Sequence, residues 1–515
     1  MLFSRRYNRK KRHNHSSLKN QHDVLSQNPI SSVLLENLSG IQDKFNDTPD
    51  LIVKQFIIKQ TTSSAALVYL SGLTDKTAIN NNVLNPLLFK ADQDDNYFDI
   101  KVSLGLVKET NTWRKIESAI LQGNSVLFVD GRFEAYIFDT QAWPQRAVED
   151  SSVESSLRGA HEGFTESGGN NIALIRRHIP NRELKIKELT VGERGNTKIS
   201  IMYLADVVNP EVLKELVDRI KQLDVDSILN AAVLAEYIED NPFSPFPQLF
   251  LTERPDYAAF EILHGRIVTV VDRSPNVIIG PTTFEAFFKS TDDYSSRWIV
   301  ASFIRLLRYF GFFVAVFMPA TYIAVISFHF EVIPLKLLMS VAASRERVPF
   351  PPFIEAIIME ITLEMLREAG IRLPAKIGQT VGIVGGIVIG QAAVQAGIVS
   401  NIMVIVVALT AIASFIIPNY DMGAAIRMLR FPMMIGASLF GFVGLTVGLM
   451  TLIAHMIALE SLGTPFGSPI APLRFTDWKD VFIRFPQWSI LKRPKSTRSI
   501  QIKKANSNRP EGDEH

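Results

Sequence analysis

The sequence predicts an α/β soluble N-terminal region of two related lobes, followed by an all-α polytopic membrane domain. Three observations carry this. Residues 377–420 run for 44 positions without an Asp, Glu, Lys, Arg or His, room for two helices of the ~20 residues that span a bilayer. From Asp50 to about residue 290, short β-rich runs alternate with helical ones. Within that half, Ile120-Leu121-x-Gly123-x-x-Val126-x-x-Val129-Asp130 returns 142 positions later as Ile262-Leu263-x-Gly265-x-x-Val268-x-x-Val271-Asp272. The expected organisation is a basic disordered tail over 1–33, lobe one over 34–155 and lobe two with its linker over 156–290. A transmembrane helical domain over 297–460 and a basic cytoplasmic tail over 461–515 complete it.

Composition narrows the chemistry. None of the 515 residues is cysteine, which removes disulfides, thiolate nucleophiles and cysteine metal sites. The nine histidines show no HExxH-like spacing, and His13 and His15 belong to a solvated basic segment. GxSxG, DFG and HRD are missing and no carboxylate pair stands out, so no enzyme, cofactor or metal is expected. The first twenty residues hold seven Lys/Arg and no acid. No apolar stretch follows them, so they are not a secretory signal; an arm beside anionic lipid fits, and no nucleic acid is expected as partner.

In lobe one, LIVKQFII and AALVYLSGL read as strands and TDKTAINNNVLNPLLF as a helix opened by a Thr or Asp cap. WRKIESAILQG is a second helix ending at Gly123, followed by the strand SVLFVDG and the Asp130-Gly131 turn into FEAYIFD. In lobe two, Met202-Tyr203-Leu204 opens onto the helix NPEVLKELVDRIKQLD as Val68-Tyr69-Leu70 does in lobe one. The expected outline of each lobe is strand–helix–helix–strand. RGAHEGFTESGGNN, at 158–171, has the composition of a flexible connector. NPFSPFPQ, with Pro242, Pro245 and Pro247, reads as an extended, semi-rigid linker.

Four spans are expected in the second half: Phe310–Phe328, preceded by Arg297, Arg305 and Arg308, then Ile377–Ala396, Ile398–Ile417 and Met433–Leu459. Pro319 can kink the first. Eight Lys/Arg and no acid lie between Arg484 and Pro510. With the basic N-terminus, the positive-inside tendency places both termini in the cytoplasm, which an even number of crossings satisfies.

The second span carries Gly378, Gly382, Gly386 and Gly390, every fourth residue. At about 100° per residue they form a drifting ridge suited to close helix packing in lipid. Thr380, Val384, Val388, Gln391 and Gln395 fall on the opposite side, about 200–280° round. Either that side meets neighbouring helices through its glutamines, or it lines a pore with a valine constriction. The glycines fit no phosphate-binding loop.

Residues 331–376 hold six acids and six bases. Leu335–Ala343 is too short to cross, and Phe353–Arg367 is amphipathic, fitting an interfacial or re-entrant helix. Its acidic face is either solvated or, in a symmetric oligomer, repeats Glu355, Glu360 or Glu364 as a ring that favours cations.

RGAHEGFTES, GERGNTKISIMY, IEDNPFSPFPQLFLTERPD, SRERVPFPPFIEA, LREAGIRLP and VGIVGGIVIGQAAVQAGIVS resemble the A subunit of GerA-type spore germinant receptors, from about Leu34 to Phe485. The resemblance implies a nutrient sensor of the spore inner membrane. It implies work with a transporter-like B subunit and a C-subunit lipoprotein, a homo-oligomer of A subunits in the lipid bilayer, and an ion-conducting path whose opening starts germination. Ala160-His161 stands where Pro-Arg is expected, so a role for that loop carries over less directly.

A channel subunit is one hypothesis. A secondary transporter or solute carrier is another, and a membrane scaffold for partner subunits a third. Transporter cores carry intramembrane charges at the midplane; the expected spans have none, which favours the channel.

Overall fold

The computed structural model describes residues 29–59, 61–89, 102, 107–142 and 161–504, and of 375, 376, 379–381, 383 and 384 the backbone alone. The basic segment 1–28, the expected lobe boundary at 143–160 and residues 505–515 lie outside the described residues.

Lobe one opens with helix α1 (Leu34–Lys44). Its strands are β1 (Leu51–Ile57), β2 (Ser64–Leu70), β3 (Val107–Thr110), β4 (Ser125–Val129) and β5 (Ala135–Phe138), with helix α2 (Trp113–Leu121) before β4. They form one antiparallel sheet in the order β1-β2-β4-β5-β3. Both faces are covered, as the pleat requires when every second residue turns the other way. Ala66, Val68 and Leu70 pack with Leu38, Ile41, Trp113 and Ile116 on one side. Ala65, Leu67 and Tyr69 pack with Ile79, Val83 and Leu87 on the other. Asp75 accepts from the amides of Thr77 and Ala78 and caps the helical segment that supplies those last three.

Lobe two repeats the arrangement. Helix α3 (Gly168–His178) precedes β6 (Leu184–Val191) and β7 (Thr197–Leu204), followed by α4 (Pro210–Lys221) and α5 (Ala231–Ile238). Then come β8 (Phe250–Thr252), α6 (Pro255–Leu263), β9 (Ile267–Val271) and β10 (Val277–Gly280). The sheet order is β6-β7-β9-β10-β8, strand for strand that of lobe one. Small devices recur with it. Buried Asn37 accepts from Ser31 N at 3.0 Å and donates to Ser31 O at 2.6 Å. Asn171 accepts from Thr165 N at 2.8 Å and donates to Thr165 O at 2.6 Å. Asp130 accepts from Leu34 N and Asp272 from Gly168 N, so each satisfies a free donor at the start of its lobe's first helix. Gly123 and Gly265 end α2 and α6 at φ +89° and +91°, conformations that favour glycine. The strand–helix–helix–strand outline is too simple: it misses the edge strands β3 and β8, four and three residues long, too short for period-two alternation to register.

The connector composition at 158–171 also misleads, because its described part is packed. Phe164 is buried in lobe two, and its amide donates to Glu253 O at 2.7 Å.

Helix α7 (Trp298–Phe328) leads into the helical half, followed by α8 (Leu335–Arg345), α9 (Pro352–Arg372), α10 (Ala375–Gln395), α11 (Asn401–Phe415) and α12 (Tyr420–Ala458). By length and composition α7 and α12 can each cross a membrane, with mean hydropathy 2.0. Yet α12 is no single rod, and the expected fourth span Met433–Leu459 is corrected accordingly. At Gly441 the backbone turns to φ 59°, ψ −136°, and the chain folds back on itself. A Cβ built at Gly448 meets Met433 Sδ at 2.6 Å, and one at Gly444 collides with Gly436 O. Glycines on both arms allow that approach. Likewise α9 is no helix lying apart: it runs antiparallel to α10, with Gly378 against Gly370 and Gly385 against Leu366.

Contacts fix the directions. Gly311 faces Ala413 O, Ala315 O accepts from Arg430, and Gly441 meets Phe328 and His329. Among the described residues, α7, α9, α10, α11 and the two arms of α12 alternate between the lobe-two end and the far end. That is six passes, so lobe two and the C-terminal segment share one end.

The segment after Ser461, expected as a tail, is a packed strap through Lys504. Ser461 Oγ donates to Gln248 O at 2.6 Å, Ile500 N to Val207 O at 2.9 Å and Arg493 Nε to Leu263 O at 2.8 Å. NPFSPFPQ is no passive linker either. Phe246 is buried between Phe284, Phe466 and His455, and Ser244 Oγ lies 2.9 Å from His455 Nε2.

Candidate functional site

Helix α9 places Glu360, Glu364 and Arg367 on neighbouring turns, four and three residues apart, so they share a face. The first arm of α12 presents Arg427 and Arg430 three residues apart toward them. Glu360 is fully buried and pairs with Arg430, whose Nε donates to Ala315 O of α7 at 3.1 Å. Glu364 Oε1 lies 3.1 Å from Arg427 Nε and 3.6 Å from Arg367 Nη1. Arg367 reaches Ser414 Oγ at 3.3 Å and lies over the Phe415 ring at 4.4 Å. Toward the far end Glu355, also fully buried, pairs with Arg345 at 3.1 Å and accepts from Ser400 N at 2.9 Å. The result is an ion ladder running the length of α9.

The three carboxylates of the expected acidic ring, Glu355, Glu360 and Glu364, have arginine partners within the chain, and a carboxylate so neutralised offers little field to an ion passing outside. The argument from uncharged spans is corrected, since Glu360 and Arg430 pack against Ala315 in the middle of α7. Arg427 and Arg430 fall between the third and fourth expected spans, and the sequence alone attached no role to them. Their three-residue spacing was the signal available.

Beside the ladder is a cavity of about 310 Å³, lined by Glu364, Arg367, Arg427, Arg430 and Gly382 among others. Arg430 Nη2 and Arg367 Nη1 have no hydrogen-bond partner among the described residues. Gly382 helps keep this space open, because a Cβ there meets nothing within 4 Å. Of the expected glycine ridge, Gly378 packs on α9 and Gly390 touches Val404 at 3.8 Å, while Gly386 is open. Gly385, outside the ridge, is also tightly packed, a Cβ built there lying 2.6 Å from Leu366. Val388, Gln391 and Gln395 are exposed on the outside of α10, with Val388 at 57 %. The side chains of Thr380 and Val384 lie outside the described residues.

A second network ties α7 to lobe two. Arg305 is fully buried; it reaches Asp293 at 3.2 Å and Asp480 of the strap at 2.9 Å. Arg308 joins Asp293 at 2.8 Å and Phe288 O at 2.9 Å. Tyr294 donates to Asp480 at 2.7 Å. Burial alone would raise the Asp480 carboxyl; Lys289 and Arg305 outweigh it and hold the group below the usual carboxylate range. In the sequence Arg305 and Arg308 only precede the first expected span. In the structure they are the rivets between lobe two, strap and helix.

An α/β half of two sheet-built lobes, the second riveted to a helical bundle with internally neutralised charges and two helices long and apolar enough to cross a membrane, defines the class. Residues 39–496 match the Bacillus/Clostridium GerA spore germination protein family, and the chain belongs to that family. It is 41 % identical over 489 residues to spore germination protein KA of Bacillus subtilis, covering 94 % of this chain and 90 % of that one. An uncharacterised membrane protein of Bacillus subtilis, YfkQ, is 40 % identical over 90 % of this chain and 91 % of its own length. The crystal structure of the N-terminal domain of the A subunit of the Bacillus megaterium spore germinant receptor GerK3 aligns at 30 % identity and TM-score 0.39. That alignment covers 50 % of this chain and 98 % of that one.

Proposed function

We propose that this chain is the A subunit of a nutrient receptor in the spore inner membrane, and that copies assemble around α10 into a ligand-gated ion-conducting path. Opening of that path triggers germination, and the working receptor includes a transporter-like B subunit and a C-subunit lipoprotein. Both termini face the spore core. The two lobes descend from one duplicated unit, as the shared strand order and the paired asparagine and aspartate devices suggest.

The observation that carries the conducting-path reading is the contrast between α9 and α10. The carboxylates of α9 turn inward onto arginines, while α10 offers Val388, Gln391 and Gln395, uncharged and exposed, to whatever surrounds the chain. In a ring, valines form an apolar constriction that empties of water when closed, and making it polar lowers the barrier to wetting. Val384→Ser or Val388→Ser therefore gives nutrient-independent ion leak, and Ile387→Ser, about 100° round from Val388, gives less. Ion release from vesicles holding each variant at matched levels tests this; equal leak from all three, or from none, removes the pore-face assignment.

A secondary transporter is the second reading, favoured by the buried Glu360–Arg430 pair beside a polar cavity. It requires saturable uptake of a solute that Glu360→Gln abolishes.

A further inference from the structure

A cavity of about 350 Å³ lies between α6, the short helix Thr291–Ser295 and the strap. It belongs neither to the ion ladder nor to the face of α10. We infer that it is a binding site for a small oxyanion, a carboxylate or a phosphate.

Arg266, at the start of β9, lines the cavity and is 4 % exposed. Its Nε lies 3.3 Å from Glu261 Oε2 as an ion pair. Neither Nε nor Nη1 makes a hydrogen bond among the described residues. A buried cation with an unused donor is costly unless something meets it, and the planar fork of arginine suits the two oxygens of a carboxylate or phosphate. Six Lys/Arg line the cavity against three carboxylates, Glu261, Asp477 and Asp480, so its walls favour an anion. Two of those carboxylates are already engaged, Glu261 with Arg266 and Asp480 with Arg305 and Tyr294.

His264 adds no charge. It donates from Nδ1 to Phe260 O at 2.8 Å and accepts at Nε2 from Lys504 at 3.1 Å. Burial first, then Lys504, push it down to about 3. Phe260 and Tyr294, with ring centroids 4.8 Å apart, supply an apolar wall, so the site admits an anion with a small organic body. Because Tyr294 and Asp480 also belong to the Arg305 network, an anion held here clamps the strap to lobe two at the foot of α7. The inference stands whichever transport function the helical half performs.

The test uses the full chain in neutral detergent at fixed ionic strength. Inorganic phosphate, benzoate and dihexanoylphosphatidic acid are titrated separately, with binding followed by calorimetry. At least one should bind saturably, and Arg266→Gln should weaken it by about tenfold or more. Should that variant not fold, Lys492→Gln/Lys495→Gln, on the exposed rim, should weaken binding roughly threefold. Saturation by phosphate or benzoate assigns the site to a soluble anion; saturation by the lipid alone assigns it to a headgroup. No saturable binding of any of the three, or binding unchanged in every folded variant, overturns the inference.

Discussion

The two lobes share a strand order but not their wiring. Lobe one closes its sheet between two cores, with helices on both faces, and one of these cores takes in Ala173 of α3. Lobe two closes one face in the same way, but its other face runs without a break into the helical half. Val268, Val270 and Phe250 belong to the same core as Phe312, Ala320 and Met434. Phe288 stacks on Tyr309 at 4.7 Å, and Phe284 meets Phe312 edge-on at 5.7 Å. Identical topology thus sits in two settings: lobe two is packed onto α7, and lobe one is attached to lobe two. The attachment between the lobes is local, and Ala173 of α3 packs against Gly72 within it. Arg176 holds Asp50 through two bonds of 2.6 and 2.8 Å, and Lys185 reaches Asn46 at 2.5 Å.

The largest effect should come from severing lobe two from the helix. Arg305→Met leaves buried Asp293 and half-buried Asp480 with fewer partners, and breaking a buried pair this way costs about 3–5 kcal/mol. Thermal unfolding in detergent should show it; a loss under about 1 kcal/mol would mean the aromatic contacts alone hold the junction. The attachment between the lobes should be weaker. Asp50→Asn removes one charge from a partly buried bidentate pair, a loss of about 1–3 kcal/mol. Limited proteolysis should then release lobe one while lobe two stays with the helices.

A subtler contrast involves pH. Lobe two carries buried His264 where lobe one carries Gln122 at the repeat-equivalent position. The folded pKa of His264 lies near 3, below its unfolded value of 6.5. The unfolded chain therefore binds the extra proton as pH falls through 6.5, and stability is lost toward acid. Between pH 7 and 5 the loss is about 2 kcal/mol. His264→Gln should flatten that dependence, read from chemical denaturation at the two pH values, and lobe one should show no matching response.

How much of this was legible in the sequence depends on the range of the signal. Strands β4 and β9, helices α2 and α6 and their terminal glycines follow from the 142-residue repeat, because local patterning and turn chemistry repeat with it. The long apolar helices follow from composition. The rivets do not: Arg305 and Asp480 lie 175 residues apart, and no periodicity links them. Gly441 sits in an apolar run that reads as one helix, since glycine is ordinary in such segments, and only the positive φ reveals the turn. Of the candidate site, α10 and the three glutamates of α9 were visible. Their arginine partners were not, because a charge's partner is fixed by packing rather than spacing.

Lobe two and the helical half are expected to respond as one mechanical unit and lobe one as a separate one. Hydrogen exchange on the full chain in lipid nanodiscs, comparing wild type with Arg305→Met, tests it most directly. Faster exchange is expected in α6, β9, β10 and the first turns of α7, with β1, β2 and β4 unchanged. Equal acceleration in both lobes, or acceleration in lobe one alone, would contradict it.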